Sequence, residues 1–389
     1  MQIIEVTDKK HAKEFIKVAI SIYEHYPKWI RPLDKDLEAV FDPQKNKYFR
    51  HGECIRWILK NDSGKTIGRI AAFYHKKTMT QGNDQPTGGI GFFECINDQK
   101  AAFILFDECK KWLESKGMEA MDGPINFGER NEWWGLQVEG FDIEPNYRCN
   151  FNPPYYRDLF EAYGFQTYFE QLTFGRKIIG HISDQMFEKA KRIGANPKYH
   201  FKTLDLKQLD KFTEYFHTIY NKAWSGHKGV PVLTMQQAKM VMKQLKPIID
   251  PNVMYFGFYE EDPIAFFICI PDVNQIFKHV NGKLDIIGKL KFLYHRWRKT
   301  TNKIIGTVFG VVPEHRGKGV EGAIVIYSRG ILFEKYNRYE NLEMNWIGDF
   351  NPRMVHTVKQ VGVSLYKKHI TYRMLFDETK PFTRHPVMR

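Results

Sequence analysis

The sequence matches itself at an offset of about 197 residues, and this repetition restricts the folds that the chain can adopt. Three patterns recur in order: a helical pattern, a hairpin pattern, and a helix that follows Asn-Pro and ends at glycine. The matched positions are Phe15 and Phe212, Ile67 and Ile264, and Gly164 and Gly362, which lie 197, 197 and 198 residues apart. Chance is the alternative, because short apolar matches are common. The repetition predicts two lobes of like fold, residues 1–180 and 195–389, with a glycine-containing junction near 176–200.

Hydrophobic periodicity predicts strands that alternate with helices in both lobes. The predicted helices are residues 9–25, 98–116, 206–224, 234–247 and 320–336. The predicted strands are residues 54–60, 66–74, 88–96, 253–260, 263–270, 303–312 and 341–347. This alternation predicts an α/β layered fold, in which each lobe is a twisted mixed sheet flanked by helices.

The chain carries 58 Lys and Arg against 45 Asp and Glu, a net charge of +13. This excess attracts phosphate-bearing small molecules, nucleic acid and anionic membranes, and solubility alone is the simplest alternative. The five cysteines form no C-x-x-C pair, so we expect reduced thiols, no metal site and a cytoplasmic protein. No signal-peptide pattern opens the chain, and the apolar run 264–270 is too short for a membrane span.

A glycine-containing segment between a strand and a helix is the most informative local pattern. The strand pattern 304–312 leads through Arg316, Gly317, Lys318 and Gly319 into a helix whose apolar residues share one side. N–H groups at a helix N-terminus bind anions, and glycine lets the backbone approach a phosphate closely. The segment therefore predicts a phosphate site. The alternative is an ordinary glycine turn with solvated basic residues.

The segment from Val311 to Val320 resembles the acyl-CoA signature of the GNAT acetyltransferase superfamily, Gln/Arg-x-x-Gly-x-Gly/Ala. Arg316 and Gly319 match its first two fixed positions, whereas Glu321 stands where the signature has Gly or Ala. Further segments are similar to bacterial tandem GNAT-like proteins: 91–94, 122–124, 135–141, 152–156, 343–354 and 366–373. The resemblance implies two tandem GNAT-like lobes and an N-acetyltransferase that uses acetyl-CoA, or another acyl-CoA, as donor to an amine.

The same resemblance implies a set of residues that contact the acyl-CoA in the second lobe. The backbone of Val311 and Val312 is expected to hydrogen-bond the thioester carbonyl and the pantetheine arm. The other implied cofactor-site residues are Arg316, Gly317, Lys318, Gly319, Val320, Glu321 and Asn351. Glu321 is an unusual member of this set, because a carboxylate near phosphates must point away from them or be paired.

Acyl transfer to an amine needs a proton acceptor for the amine and a proton donor for the leaving thiol. Glu343, on the strand after the CoA helix, is the predicted base, acting directly or through water. Tyr366 and Tyr372 are the predicted proton donors. The alternatives are a surface or structural glutamate and tyrosines that belong to the core or its rim.

The first lobe is expected not to bind CoA. Its equivalent strand, residues 89–96, runs into a helix with no glycine loop between them. Asp98 is predicted to cap that helix, and a negative cap repels a phosphate. A longer loop of different shape that still binds CoA is the alternative.

Two further segments have open interpretations. A polar and aromatic cluster lines either an acceptor pocket between the lobes or a surface loop with packed tryptophans; its members are Asn126, Glu129, Asn131, Glu132, Trp133 and Trp134. The basic insert 283–303 is either a nucleic-acid or anionic-membrane surface or an amphipathic helix. We favour the helix, with its apolar side on the sheet and a solvated basic face.

The expected acceptor is a small-molecule or peptide amine, left open among peptide amines, amino acids, amino sugars and polyamines. No nucleic-acid partner is expected. Two rival functions stay open: a catalytically inactive GNAT fold that senses acyl-CoA, which Glu321 favours, and a basic nucleic-acid-binding protein.

Overall fold

The computed structural model describes residues 1–80, 83–180, 184–224, 232–335, 338–359 and 362–388. The first half of the chain contributes strands β1 (Gln2–Glu5), β2 (Gly52–Lys60), β3 (Thr66–His75), β4 (Thr87–Cys95), β5 (Ala120–Gly123), β6 (Leu136–Glu139) and β7 (Gln166–Lys177). The second half contributes β8 (Tyr199–Thr203), β9 (Met254–Tyr259), β10 (Asp262–Pro271), β11 (Lys303–Val311), β12 (Asn341–Met344), β13 (Ile347–Gly348) and β14 (Ser364–Leu375).

Helices lie between these strands in both halves. Those of the first half are α1 (Lys9–Ile22), α2 (Asp34–Val40), α3 (Gln99–Ser115) and α4 (Tyr156–Tyr163). Helix α5 (Asp184–Gly194) connects the halves. Those of the second half are α6 (Leu209–Trp224), α7 (Met235–Leu245), α8 (Asn274–Phe277), α9 (Ile286–Trp297), α10 (Val320–Gly330) and α11 (Pro352–Lys359). None of the helices in the described ranges combines the length and hydrophobicity that a bilayer crossing requires.

The strands form one continuous mixed sheet in the order β1-β2-β3-β4-β5-β14-β7-β12-β11-β10-β9-β8, with β6 paired to β14 and β13 paired to β7. The parallel contacts β4–β5 and β11–β12 occupy corresponding places in the two halves. Helices flank the sheet, so the predicted α/β layered fold is confirmed. The predicted boundaries 1–180 and 195–389 stay a prediction.

The two halves exchange their last strands at the centre of the sheet. β14, the last strand of the chain, pairs antiparallel with β5 of the first half, with Tyr372 opposite Gly123. β7, the last strand of the first half, pairs with β12 of the second, with Arg176 opposite Leu342. Because β14 and β7 also pair with each other, the centre of the sheet belongs to both halves.

Each half has its own hydrophobic core, built from the predicted periodic positions. In the second half, Phe212 and Ile219 of α6 pack under β9 and β10, whose buried residues form nearly continuous runs. In the first half, Ile70 of β3 and Leu105 of α3 are fully buried in the other large core. These burial patterns explain why the predicted helices and strands agree with the observed bounds within a few residues.

Candidate functional site

The glycine segment forms a tight turn between β11 and α10. Gly317 and Gly319 have φ values of +71° and +103°, in the left-handed region that favours glycine. A Cβ atom at Gly319 would lie 3.0 Å from the Cβ of Lys189 in α5. No side chain caps the N-terminus of α10. The turn therefore leaves the first N–H groups of α10 without a side-chain cap, as an anion site requires.

Arg316 fixes the turn rather than reaching out of it. Its Nε donates to the carbonyl of Val311 at 3.0 Å, and its Nη2 donates to the carbonyl of Ala223 at 2.5 Å. These bonds tie the turn to the end of β11 and to the last turn of α6. The guanidinium thus bonds within the protein although Arg316 is exposed, and Lys318 is a second exposed cation of the turn.

Glu321 points back toward the turn. Its Oε1 accepts a hydrogen bond from the N–H of Gly317 at 3.3 Å. The carboxylate therefore stands where an anion bound by these N–H groups would lie. This hydrogen bond explains how the chain accommodates a carboxylate at the position where the GNAT signature has Gly or Ala.

Strands β11 and β12 separate beside the turn. They pair only from Lys303–Gly306 to Asn341–Met344, and the rest of β11 pairs with β10 alone. The N–H of Val312 donates to the carbonyl of Ile264 at 2.9 Å. Because groups alternate along an antiparallel strand, the N–H of Val311 faces the opposite edge, into the gap between the strands. The role predicted for Val311 stays a prediction, whereas the N–H of Val312 is already used within the sheet.

A cavity of about 300 Å³ opens beside this gap and the glycine turn. Gly317, Gly319 and Glu321 line one part of it. Its apolar lining comes from α5, β9, β10, β11, α10, β12, α11 and the segments beside them, and includes Ile178, Met186, Tyr255, Phe267, Ile304, Phe309, Val325, Leu332, Leu342, Met344, Met354, Val358 and Val363. Arg176 and Arg329 also line it, and burial together with the charge of Arg329 lowers the pKa of Arg176. The lining suits a hydrocarbon chain with a charged group near the arginines.

Glu343 lies in a fully buried ionic cluster that links the halves. Its Oε1 accepts from Asn146 of the first half at 2.7 Å and contacts Lys367, and its Oε2 is 3.2 Å from Lys303. Lys303 also pairs with Asp272 at 3.0 Å. Burial alone would raise the pKa of Glu343, but Lys367 and Lys303 outweigh it and lower the pKa.

This environment argues against Glu343 as the general base. Both of its oxygens are occupied, its side chain has no exposure to solvent, and a lowered pKa makes a carboxylate a weaker proton acceptor. The side chain instead holds two lysines and Asn146 together. The predicted alternative, a structural glutamate, describes these contacts better.

The two predicted tyrosines lie in different parts of the molecule. The prediction for Tyr372 is wrong: it is fully buried in the first core against Phe160 and donates to Glu161 at 2.9 Å. The strand exchange carries it there, away from the glycine turn. The ring of Tyr366 packs against the backbone of Gly175, next to Arg176 of the cavity lining. Burial and Glu343 raise the pKa of Tyr366 although Arg176 opposes them, so the phenol stays protonated at neutral pH.

Asn351 caps a helix that lines the cavity. Its Oδ1 accepts from the N–H of Met354 at 3.2 Å, at the start of α11. Met354, Thr357 and Val358 of α11 reach the cavity, whereas Asn351 does not. Its contacts are those of a helix cap.

The first half closes the corresponding gap with its own chain. Asp98 caps α3 by accepting from the N–H of Ala101 at 2.9 Å, as predicted. The N–H of Ile125 donates to the carbonyl of Ile90 at 2.7 Å, on the edge of β4 where the second half has its open gap. A Cβ atom at Gly91 would collide with the carbonyl oxygen of Ile125. Neither a free helix end nor a free strand edge is present at this place.

The polar and aromatic cluster at 126–134 packs in the first half. Trp133 is buried beside Phe92, and Arg148 stacks on it while pairing with Glu132 at 2.7 Å. None of the cluster residues lines the cavity beside α10. Trp133 does line a separate cavity within the first half, so both interpretations of the segment stay predictions.

The residues that the sequence did not indicate come from unexpected elements. Arg176 belongs to β7 of the first half and Met186 to the connecting helix α5, yet both line the cavity of the second half. No local pattern marks them, because they reach the cavity through the strand exchange and through the packing of α5 on α10. Within the described residues, no group of three or more His, Cys, Asp or Glu side chains is arranged to hold a metal ion.

Comparison with known proteins supports the fold. No family model matches the chain. The bacterial ceramide synthase of Caulobacter vibrioides is 26% identical over 377 residues, which cover 96% of this chain and 97% of that protein. Protein YghO of Escherichia coli is 25% identical over 377 residues, covering 94% and 93%. A solved tandem GNAT protein from the clavulanic acid biosynthesis pathway superposes with a TM-score of 0.53 at 8% identity, covering 97% of this chain and 99% of that one. The chain therefore has the fold of tandem GNAT proteins, which confirms the resemblance predicted from its glycine turn.

Proposed function

We propose that this protein is an acyl-CoA-dependent N-acyltransferase whose second half binds the acyl-CoA. The observation that carries the proposal is the uncapped glycine turn at α10, which opens directly onto an apolar cavity. The turn suits the pyrophosphate of CoA, and the gap between β11 and β12 suits the pantetheine arm. General acyl transfer agrees with the tandem GNAT fold.

The pyrophosphate would bind the N–H groups from Arg316 to Glu321. The left-handed glycines bring this backbone within reach of phosphate oxygens, and the dipole of α10 adds to the attraction. Lys318 supplies a further positive charge. The carboxylate of Glu321 would have to leave the N–H of Gly317 when the pyrophosphate arrives, because both are anions that need the same donor.

The apolar cavity favours an acyl chain longer than acetyl. Its lining is largely aliphatic and aromatic, with charged side chains at Arg176, Lys189, Glu321 and Arg329, and burial of each methylene against the apolar part contributes about 0.8 kcal/mol. The relative named bacterial ceramide synthase also supports a long acyl chain, because a ceramide is a long-chain amino alcohol acylated on its nitrogen. We therefore propose a long-chain acyl-CoA as donor and a long-chain amino alcohol as acceptor.

The reaction is a direct transfer. The neutral amine attacks the thioester carbonyl carbon, the C–N bond forms, the C–S bond breaks, and CoA leaves as a thiol. The N–H of Val311 faces the gap and would stabilise the negative charge on the carbonyl oxygen. Tyr366, protonated at neutral pH, stays the predicted proton donor to the thiolate. The amine would lose its proton to water rather than to Glu343.

Release of free CoA from the purified full chain tests the proposal. Palmitoyl-CoA and acetyl-CoA would each be offered with sphinganine, a polyamine, an amino sugar and a peptide amine, and the free thiol would be measured. We expect turnover of palmitoyl-CoA with sphinganine and little turnover of acetyl-CoA. Preference for acetyl-CoA would contradict the role of the cavity. Binding of palmitoyl-CoA with no turnover on any amine would favour the acyl-CoA sensor.

A further inference from the structure

Helix α9 turns an apolar side toward solvent. Six large apolar side chains of this helix are exposed: Ile286, Ile287, Leu290, Leu293, Tyr294 and Trp297. Ile286 and Trp297 keep 77% and 75% of their surface accessible. The predicted arrangement, with the apolar side packed on the sheet, is therefore wrong.

The opposite side of α9 holds the helix on the protein with few contacts. Gly288 is buried, and Phe292 stacks on Phe277 with ring centres 5.6 Å apart. His295 stacks on His279 at 3.9 Å. The small inner side fixes the orientation of the helix, so the larger apolar side cannot turn inward.

The exposed apolar residues form one stripe. Successive residues of a helix are about 100° apart, so Ile286, Leu290, Leu293 and Trp297 fall within a sector of about 60°. That sector lies opposite the inner residue His295. A continuous stripe of this kind marks an interaction surface, whereas single exposed apolar residues are ordinary.

Basic residues border the stripe on both sides. By the same geometry, Lys289 and Arg296 lie along one border, and Lys291 and Arg298 lie along the other. All four side chains are exposed. The sequence contains no acidic residue between 286 and 300.

This arrangement selects the kind of partner. An in-plane helix in a bilayer interface places its apolar stripe among the acyl chains while cations on both borders reach the anionic headgroups. Tyr294 and Trp297 suit this depth, because their rings are apolar with one polar atom. A positive border on both sides complements a uniformly anionic plane better than a protein surface of mixed charge.

We propose that α9 binds the surface of an anionic membrane, lying in the plane of the interface. The proposal stands independently of the proposed enzymatic function, because it rests on α9 alone.

Co-sedimentation with lipid vesicles tests it on the full-length protein. The vesicles would contain either phosphatidylglycerol mixed with phosphatidylcholine or phosphatidylcholine alone, each at low and high salt. We expect binding to the anionic vesicles that weakens as salt rises, and much weaker binding to the neutral ones. Equal binding to both vesicles, or no binding to either, would overturn the proposal.

A double variant places the binding on α9. Leu290→Asp with Trp297→Asp should lower the partition coefficient about tenfold or more, because two apolar side chains no longer enter the bilayer. The matched control, Leu206→Asp with Met240→Asp, adds the same charge at two other exposed apolar positions and should bind like the wild type. Both variants should keep the wild-type unfolding temperature, since all four side chains are exposed.

The variants also separate a membrane from a protein partner. Unchanged vesicle binding by Leu290→Asp with Trp297→Asp would contradict a role of α9. If the wild type ignored vesicles but self-associated, and the double variant did not, the stripe would be a protein interface and the proposal would be wrong.

Discussion

The two halves of this protein use the same strand-to-helix junction in opposite ways. In the first half, three residues join β4 to α3, Asp98 caps the helix, and Ile125 pairs with the open edge of β4. In the second half, eight residues join β11 to α10, two left-handed glycines replace the cap, and no strand pairs with the edge of β11 beyond Gly306, which lies beside a cavity. Both halves therefore build the same junction, whereas loop length and one capping side chain decide whether the first N–H groups of the helix are capped by the chain itself.

The largest expected effect concerns the ionic cluster that joins the halves. Glu343→Gln should lower the free energy of unfolding by roughly 3–5 kcal/mol, because it leaves Lys367 and Lys303 buried with too little negative charge. Chemical denaturation of the full chain at neutral pH measures this. A loss below about 1 kcal/mol would show that the halves do not depend on this carboxylate.

The same cluster predicts a pH dependence. The pKa of Glu343 is lowered in the folded state, so its ionisation stabilises the fold above about pH 4.5, and this contribution is lost as pH falls further. The difference in unfolding free energy between wild type and Glu343→Gln should therefore shrink below pH 4.5. A difference that stayed constant from neutral to acidic pH would assign the effect to packing instead.

Gly319→Glu alters the glycine turn before α10, which the first half lacks. It places bulk and negative charge at the proposed phosphate site, and should abolish the stabilisation of about 2.7 kcal/mol that a ligand gives at a hundred times its Kd. Thermal unfolding with and without palmitoyl-CoA measures this. An unchanged ligand shift would place the acyl-CoA elsewhere.

Gly117→Glu in the first half is the matched control for this test. Gly117 also has a positive φ, +78°, and a Cβ atom there would meet no atom within 4 Å, whereas one at Gly319 would also crowd Lys189. The variant should therefore show comparable backbone strain while retaining the full shift with palmitoyl-CoA.

Asp98→Ala tests whether the cap of α3 stabilises the fold without taking part in acyl-CoA binding. Loss of the hydrogen bond to Ala101 should lower the free energy of unfolding by about 1 kcal/mol and leave palmitoyl-CoA binding unchanged. Weakened binding in this variant would give the first half a role in the acyl-CoA site and contradict the assignment of that site to the second half alone.

The smallest expected effect is a gain in affinity for palmitoyl-CoA. Glu321→Gln removes the anion that occupies the N–H of Gly317, and should tighten palmitoyl-CoA binding a few-fold, because a surface ion competition is worth about 0.5 kcal/mol. Titration calorimetry measures the change. Weaker binding would instead make Glu321 part of the site, for example as a partner of Lys318.

Sequence patterns predicted the helices and strands of this molecule better than they predicted which strands pair and which surfaces pack together. Periodicity marked the strands, and glycine with two cations marked the turn before α10 that no side chain caps, because both signals are local. Strand exchange has no local signal, so Tyr372 and Arg176 could not be assigned to the correct half. Periodicity also showed that α9 is amphipathic, but it did not show which side faces the protein. That orientation depends on tertiary contacts, namely the burial of Gly288 and the stacking of Phe292 on Phe277.

The exchanged strands have a consequence for how the chain is made. The edge of β5 is complete only when β14 arrives, about 240 residues later in the sequence. At a synthesis rate of about 5–20 residues per second, that edge waits roughly 12–50 s on the ribosome. An unpaired sheet edge can pair with a strand of another chain. Nascent chains on neighbouring ribosomes of one mRNA would therefore be prone to aggregate during that interval.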